Sequence, residues 1–348
     1  MYTEYKRMKI HSGKYFFRNT ETENTMKTEI YGTLGPACAK TEILSDMLNL
    51  GMTGIRLNLS HMSLTEAEPM LDALRSAMSI CGRDCKLLID MQGPELRIGA
   101  LPTPLTLTEG AQIDLEELRL QKKIRDAITS GQEILLDDGK LLLTAEKEGK
   151  AIVRRGGTIT GRKSIALPGT EIHLPPLTDE DLKNISCAVH FGVTGVMQPF
   201  VRSAEDLKTV RTALDASAGK DIRLFAKIED QNGAACLPEL LDASDEIVIA
   251  RGDLGNSMPL WKLPAVQKQI ASCCRMAAKP FMVVTQMLSS MEQRPVPTRA
   301  EVSDIFNAVL DGAASVMVTG ETAVGKYPRE TIQYLVNTAA EAERYLSF

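Results

Sequence analysis

A chain of 348 residues with a formal net charge of -5 and 44% hydrophobic residues exceeds one average domain, although an α/β barrel with insertions reaches this size as a single unit. The negative balance argues against nucleic acid or an anionic membrane surface as the main partner, and no apolar run approaches the length that crosses a bilayer. Seven scattered cysteines, among them the adjacent Cys273-Cys274 and a Cys81/Cys85 pair with no second metal-like pair, read as reduced and mostly buried thiols of a cytoplasmic protein.

Residues 1–26 are polar and basic without a continuous apolar stretch, so they read as an extension and not a signal peptide. From Met26 onward short apolar runs alternate with helical patterns. The spacing predicts strands at Ile30 to Leu34, Gly54 to Leu59 and Lys86 to Met91, with helices near Lys40 to Leu50 and Leu64 to Cys81. After Gly93-Pro94 the pattern changes. Between about Arg97 and Ala166 there are period-two runs and a hairpin signal, Ile134 to Leu143 around Asp137-Asp138-Gly139, which predicts a small inserted β domain over 97–166.

The alternation then resumes. Helices are expected near Thr178 to Phe191, Ser203 to Ala216, Ala234 to Ala243, Leu263 to Ala277, up to Gly312, and at Arg329 to Leu346. Strands are expected at Thr194 to Phe200, Arg223 to Ile228, around Ile247, at Phe281 to Thr285 and at Ser315 to Thr319. Roughly eight strand-helix units close a parallel barrel, built from 27–96 and 167–348. An open doubly wound sheet is the alternative, but no glycine-rich phosphate loop opens a helix.

Two of the strands end abnormally. Leu224-Phe225-Ala226 runs into Lys227-Ile228-Glu229-Asp230, and Glu246 to Ala250 runs into Arg251-Gly252-Asp253-Leu254-Gly255. Charged groups are rarely buried without a partner or a metal, and two carboxylates from neighbouring strand ends suit Mg2+. Lys227, two residues before Glu229, shares its face of the strand. The bland alternative is a salt bridge at a strand terminus with Asp253 as a helix cap. Both runs together, with Gly252 freeing the backbone for close approach, favour a site for an anionic substrate. Barrels carry chemistry at the C-terminal ends of their strands, a rule that also collects Asn58, Ser60, His61, Asp90, Thr285-Gln286 and Thr319-Gly320-Glu321. Arg56, on the same face as Asn58, has a planar fork that suits a phosphate. His11, His173 and His190 read as structural.

On these and further motifs the chain resembles the pyruvate kinase family from about Lys27 to the last helix. The motifs are Thr33-Leu34-Gly35-Pro36, Arg56 to His61, Gly93-Pro94-Glu95-Leu96-Arg97, Leu136-Asp137-Asp138-Gly139, Leu167-Pro168-Gly169, Lys227-Ile228-Glu229, Ala250 to Gly255, Thr285 to Leu288, Pro297 to Glu301 and Gly320 to Ala323. The resemblance implies a TIM (β/α)8 barrel with a small β-barrel lid after its third strand, and phosphoryl transfer between phosphoenolpyruvate and ADP with Mg2+ and K+. It implies Glu229 and Asp253 for Mg2+, Lys227 for the phosphoryl group in flight, the amides of Gly252 and Asp253 for the substrate carboxylate, and Arg56 for the phosphate. Thr285 would sit where the enolate is protonated. Asn58, Ser60, Asp90 and the carbonyl of Met91 would hold K+, and Asn58, His61, Arg97 and Lys163 would serve the nucleotide. Glu95 implies dependence on the monovalent cation.

The departures from the family pattern are Met91-Gln92 for threonine-lysine, Pro199 for serine, Ala166 for asparagine and Thr319 for serine. By the resemblance, Met91-Gln92 removes a positive charge near the nucleotide, Thr319 keeps the hydroxyl, and the changes bear on nucleotide affinity while leaving the metal and lysine core whole. The family's C-terminal domain has no counterpart before Phe348, so a short form with hyperbolic substrate saturation, and at most an oligomer through barrel helices, is expected. The alternatives are a Mg2+-dependent aldolase or lyase acting on pyruvate enolate, and a paralogue that senses phosphoenolpyruvate or nucleotide without turnover.

Overall fold

The computed structural model describes residues 27–347 apart from His61, Asp138, Glu171 and His173, so the expected N-terminal extension lies outside the described residues. The chain opens with β1 (Glu29–Thr33), α1 (Thr41–Leu50), β2 (Gly54–Asn58), α2 (Glu68–Cys81) and β3 (Lys86–Asp90). The inserted segment adds β4 (Leu105–Leu107), β5 (Gln112–Asp114), the short α3 (Lys122–Ala127), β6 (Glu133–Leu136), β7 (Leu141–Ala145), β8 (Lys150–Arg155), β9 (Gly157–Ile159) and β10 (Ile165–Ala166). Alternation returns with α4 (Asp179–Phe191), β11 (Gly195–Gln198), α5 (Ala204–Ala216), β12 (Arg223–Ile228), α6 (Gln231–Ala235), α7 (Leu237–Ala243) and β13 (Glu246–Ala250). It ends with α8 (Arg251–Asn256), α9 (Leu263–Met276), β14 (Phe281–Val284), α10 (Arg299–Leu310), β15 (Ser315–Met317), α11 (Gly320–Ala323) and α12 (Pro328–Leu346).

Strands β1, β2, β3 and β11 to β15 close into a parallel barrel in chain order. The seam is β1 against β15, with Glu29 opposite Ser315. Period-two alternation sorts the side chains into two cores. Leu224, Ala226 and Ile228 of β12 join the layer between strands and helices, while Phe225 joins Tyr31, Leu88, Val248, Met282 and Met317 inside the ring. The ring is too narrow for a large residue from every strand at one level. A Cβ on Gly54 would stand 2.1 Å from Cε1 of Tyr31, and one on Gly195 would stand 2.6 Å from both Leu88 and Phe225. The glycines of β2 and β11 therefore make room for the rings.

The segment after β3 forms a five-stranded antiparallel sheet, β10-β6-β7-β8-β5, and a two-stranded sheet, β4-β9. They share a core that includes Ile134, Leu136, Leu143 and Val153. In the β6–β7 hairpin Leu136 faces Leu141, and the turn places Asp137 and Gly139 at positive φ, +49° and +76°.

Three local expectations are corrected. The helix read at Ala234 to Ala243 is two helices, α6 and α7, because Pro238 lacks an amide hydrogen and fits only the first turn of α7. The charged run after β13 turns directly into α8, with Ala250 and not Asp253 at its N-cap. Only Cys38, Cys85 and Cys274 are buried; Cys81, Cys187, Cys236 and Cys273 are partly exposed, and all seven are free thiols. Among the described residues no helix is long and apolar enough to cross a membrane.

Gly54→Ala tests the packing of the ring. Tyr31 is fully buried, so the added methyl forces the ring out of place. We expect a loss of about 1–3 kcal/mol or more in urea denaturation, and a wild-type midpoint would show that the barrel interior yields more easily than this geometry allows.

Candidate active site

Inward alternation on three strands brings opposite charges to one level near the C-terminal end of the barrel. Arg56 of β2, Asp90 of β3 and Lys227 of β12 all project inward, and Glu229 follows one residue after β12. Nε and Nη2 of Arg56 donate to Oδ2 of Asp90 at 2.9 and 2.7 Å. Nζ of Lys227 donates to Oδ1 of the same carboxylate at 3.1 Å and contacts Oε1 of Glu229 at 2.8 Å. The other oxygen of Glu229 accepts from the Phe200 amide at 2.8 Å. The side chains of Asp90 and Glu229 are 4% and 2% exposed, so these charges are largely withdrawn from water and depend on one another.

That dependence shows in their protonation. Burial would push the Asp90 carboxyl up, but the charges and hydrogen bonds of Lys227 and Arg56 outweigh it and hold it below the usual carboxylate range. Burial would likewise push the Lys227 ammonium down, yet Asp90 and Glu229 hold it above its ordinary value.

The network forms the floor of a cavity of about 240 Å3. Of the residues singled out in the sequence, Arg56, Asn58, Ser60, Asp90, Met91, Arg97, Lys163, Lys227, Glu229 and Asp253 all line it. Arg97 and Lys163 come from the inserted β domain and line the cavity together with the barrel residues. Lys163 pairs with Asp137 at 2.8 Å, while Arg97 pairs with Glu95 and donates to the carbonyl of Arg162 at 2.8 Å. A larger cleft of about 650 Å3 between this domain and the barrel adjoins the cavity and shares Glu95, Ser164, Phe200, Glu229 and Asp253 with it.

Gly252 and Thr285 are not among the residues that line the smaller cavity. A Cβ on Gly252 would come within 3.0 Å of Cγ2 of Thr285, so the close approach that this glycine permits is to the threonine. Thr285 and Gln286 have φ of +81° and +54°, a backbone conformation that a β-branched residue enters only under constraint. The constraint is Arg251, whose role the sequence alone does not reveal. Its Nε and Nη2 donate to the carbonyl of Thr285 at 3.1 and 2.7 Å, and Nη1 donates to Asp304 at 2.6 Å. The signal was an arginine at the end of an apolar strand, but its partner lies 34 residues away. His61 lies outside the described residues.

Two carboxylates facing one cavity beside a lysine match the sparse protein coordination of Mg2+. Among the described residues no group of three or more His, Cys, Asp or Glu could hold a metal by itself, and both oxygens of Glu229 already have partners, Lys227 and the Phe200 amide; an ion held by Glu229 and Asp253 would need water or substrate oxygens to complete its shell. The set that the resemblance implies for K+, Asn58, Ser60, Asp90 and Met91, lines this cavity. The Ser60 amide donates to Oδ1 of Asn58 at 3.1 Å, which curls the end of β2 toward the cavity. Met91 is 1% exposed and packs in the outer core, so its main chain is the part suited to the cavity.

Fold and site together define a (β/α)8 barrel protein with a β domain inserted after the third strand and a charged, largely buried cluster at its mouth. A family model described as the pyruvate kinase barrel domain matches residues 25–332. Pyruvate kinases of Sporosarcina psychrophila, Aeropyrum pernix and Geobacillus stearothermophilus are 34%, 37% and 36% identical to it over 92% of its length. The alignments cover 58%, 71% and 57% of those relatives. The chain belongs to the pyruvate kinase family, and it spans less than two thirds of the length of the Sporosarcina and Geobacillus relatives.

The Asp90 network makes a prediction about pH. A carboxyl held below its unfolded value of about 3.9 stabilises the fold above that pH, and the contribution is lost as pH falls through the folded-state value. Asp90→Asn leaves the largely buried Arg56 without its ionic partner and Lys227 with Glu229 alone, so we expect it to cost about 3–5 kcal/mol at pH 7 and to flatten the decline of stability toward pH 3. Urea denaturation across that range reads both, and parallel acid limbs in mutant and wild type would contradict the assignment.

Proposed function

We propose that the protein transfers a phosphoryl group from phosphoenolpyruvate to ADP, giving pyruvate and ATP. The observation that supports this most is the convergence of Arg56, Lys227, Glu229 and Asp253 from the barrel with Arg97 and Lys163 from the inserted domain on one cavity. Phosphoryl transfer asks a protein mainly for positioning and charge neutralisation, and this cavity places cations from two bodies around one volume. The relatives, all pyruvate kinases by name, are consistent with the same reaction.

In this reading Glu229 and Asp253 hold Mg2+, and Asn58, Ser60, Asp90 and the Met91 carbonyl hold K+. When bound, the ions neutralise charge on the phosphoryl and carboxylate oxygens. Arg56 binds the phosphate. The amides of Gly252 and Asp253, in the first turn of α8 where amides have no intrahelical partner, face the substrate carboxylate. As the bond between phosphorus and the enol oxygen breaks and one forms to the terminal phosphate oxygen of ADP, Lys227 carries the charge of the group in flight. The enolate then takes a proton, supplied by solvent water, at its methylene carbon on the side of Thr285, whose carbonyl accepts from Arg251. Asn58, His61, Arg97 and Lys163 serve the nucleotide, and 97–166 acts as the lid domain. Free thiols throughout the chain suit a cytoplasmic setting.

The test is pyruvate formation in a coupled assay with ADP, Mg2+ and K+. Lys227→Met should lower turnover by about 10²–10³-fold with little change in the Michaelis constant; normal turnover with weaker binding would remove Lys227 from the transition state. Tight phosphoenolpyruvate binding by the wild type without turnover would point instead to a sensing protein.

Because Glu95 lies beside the cavity and no lysine replaces it, activity should depend on the monovalent cation. We expect rates in potassium buffer well above those in sodium buffer of equal ionic strength. Equal rates would remove K+ from the proposal and leave the Mg2+ assignment standing.

A further inference from the structure

The lid is tied to the barrel by two connecting strands, one leaving after β3 and one returning before α4, and both reach the same buried carboxyl. Asp181, in the first turn of α4, is fully buried. Its Oδ1 accepts from the Gln92 amide at 2.8 Å, and its Oδ2 accepts from the Gly93 amide at 2.9 Å, both on the outgoing strand. Oδ2 also accepts from the amide and hydroxyl of Thr178 at 2.9 and 2.8 Å, at the end of the returning strand. A helix cap needs only the Thr178 pair. The two outgoing amides, 88 and 89 residues distant in sequence, exceed that requirement.

The surrounding contacts fix the same joint. On the returning strand Arg202 donates to the carbonyls of Ile172 and Leu174 at 2.8 Å each, and Gln198 donates to that of Pro176 at 2.7 Å. With Asp181 at Thr178, every second residue is held from the barrel side. On the outgoing strand Gly93 has φ of +57°, and a Cβ there would lie 2.4 Å from Cγ of Pro199. Gly93 is thus wedged as well as hydrogen-bonded. The lid's own bonding resumes at Leu96, whose carbonyl accepts from the Ile165 amide at 2.9 Å. On the outgoing side only Pro94 and Glu95 separate the barrel anchor from the lid anchor.

From this geometry we infer that Asp181 is a positioning residue, one acceptor that locks both lid connectors to the barrel and sets where Arg97 and Lys163 stand over Lys227 and Asp253. The inference rests on the proposed phosphoryl transfer only for its kinetic consequence. The joint itself is a statement about structure.

Hydrogen exchange on the whole protein tests it directly. In Asp181→Asn the new amide turns a donor toward a site that receives only donors. Peptides covering 91–95 and 174–179 should then exchange about 10- to 100-fold faster, with α12 and β13 unchanged. The Michaelis constant for ADP should rise, because two of its proposed ligands are on the lid, while phosphoenolpyruvate affinity measured without nucleotide stays as in wild type. Thr178→Val, which removes one of the four donors and the cap, should show the same pattern more weakly and serves if Asp181→Asn fails to fold. Thr178→Ser, which keeps the hydroxyl, should match the wild type. Connectors that remain protected in Asp181→Asn, or faster exchange spread evenly over the barrel, would overturn the joint. Faster connector exchange in a protein that forms no pyruvate would support the joint and count against the proposed reaction.

Discussion

The mouth of this barrel depends on a chain of opposite charges taken out of water together. Arg56, Asp90, Lys227 and Glu229 are each linked to the next at 2.7 to 3.1 Å, and no member is tolerable there alone, because one unpaired buried charge costs several kcal/mol. The barrel supplies the geometry that makes the set possible. Three inward positions on three strands, β2, β3 and β12, fall near one level, so a lysine and an arginine converge on one aspartate from two sides. A phosphate entering the cavity would compete with Asp90 and Glu229 for cations already aligned, which is the preorganisation that electrostatic catalysis requires.

The opposite end of the ring carries charges too, with a different character. Glu29 pairs with Lys86, Arg223 with Glu246, and Glu246 also accepts from Ser315 at 2.6 Å. Between the two charged ends lies an apolar belt of Tyr31, Leu88, Phe225, Val248, Met282 and Met317. The belt separates a terminus whose pairs tie the strand ends together from one whose pairs border a cavity. This division matches the general separation of stability and chemistry between the two faces of such barrels.

Hydrogen bonds from outside the small cavity also fix parts of the mouth. Arg251 bonds the carbonyl of Thr285, whose backbone conformation its side chain disfavours, and Asp181 bonds both connections between the barrel and the inserted β domain. Neither lines the small cavity. Each charged group bonds main-chain atoms of a distant segment, Arg251 the carbonyl of Thr285 and Asp181 the amides of Gln92 and Gly93.

Alternation of short apolar runs with helical patterns was enough to indicate eight strand-helix units and a β insertion, because side-chain period is set locally by backbone geometry. The charged strand ends at Lys227 and Asp253 were legible for the same reason: apolar strands do not close on charge without a cause. Partnership was not legible. That Lys227 meets Asp90, 137 residues earlier, follows from the inward register of two strands that are not neighbours in the ring. That Arg251 grips Thr285, and that Asp181 receives Gln92 and Gly93, depends on which loops the closed ring brings side by side. Local residue order thus determined the elements and the candidate charges. The tertiary structure alone decided which charges neutralise one another, since burial and distance, which set the strength of an ionic contact, exist only once the ring has closed.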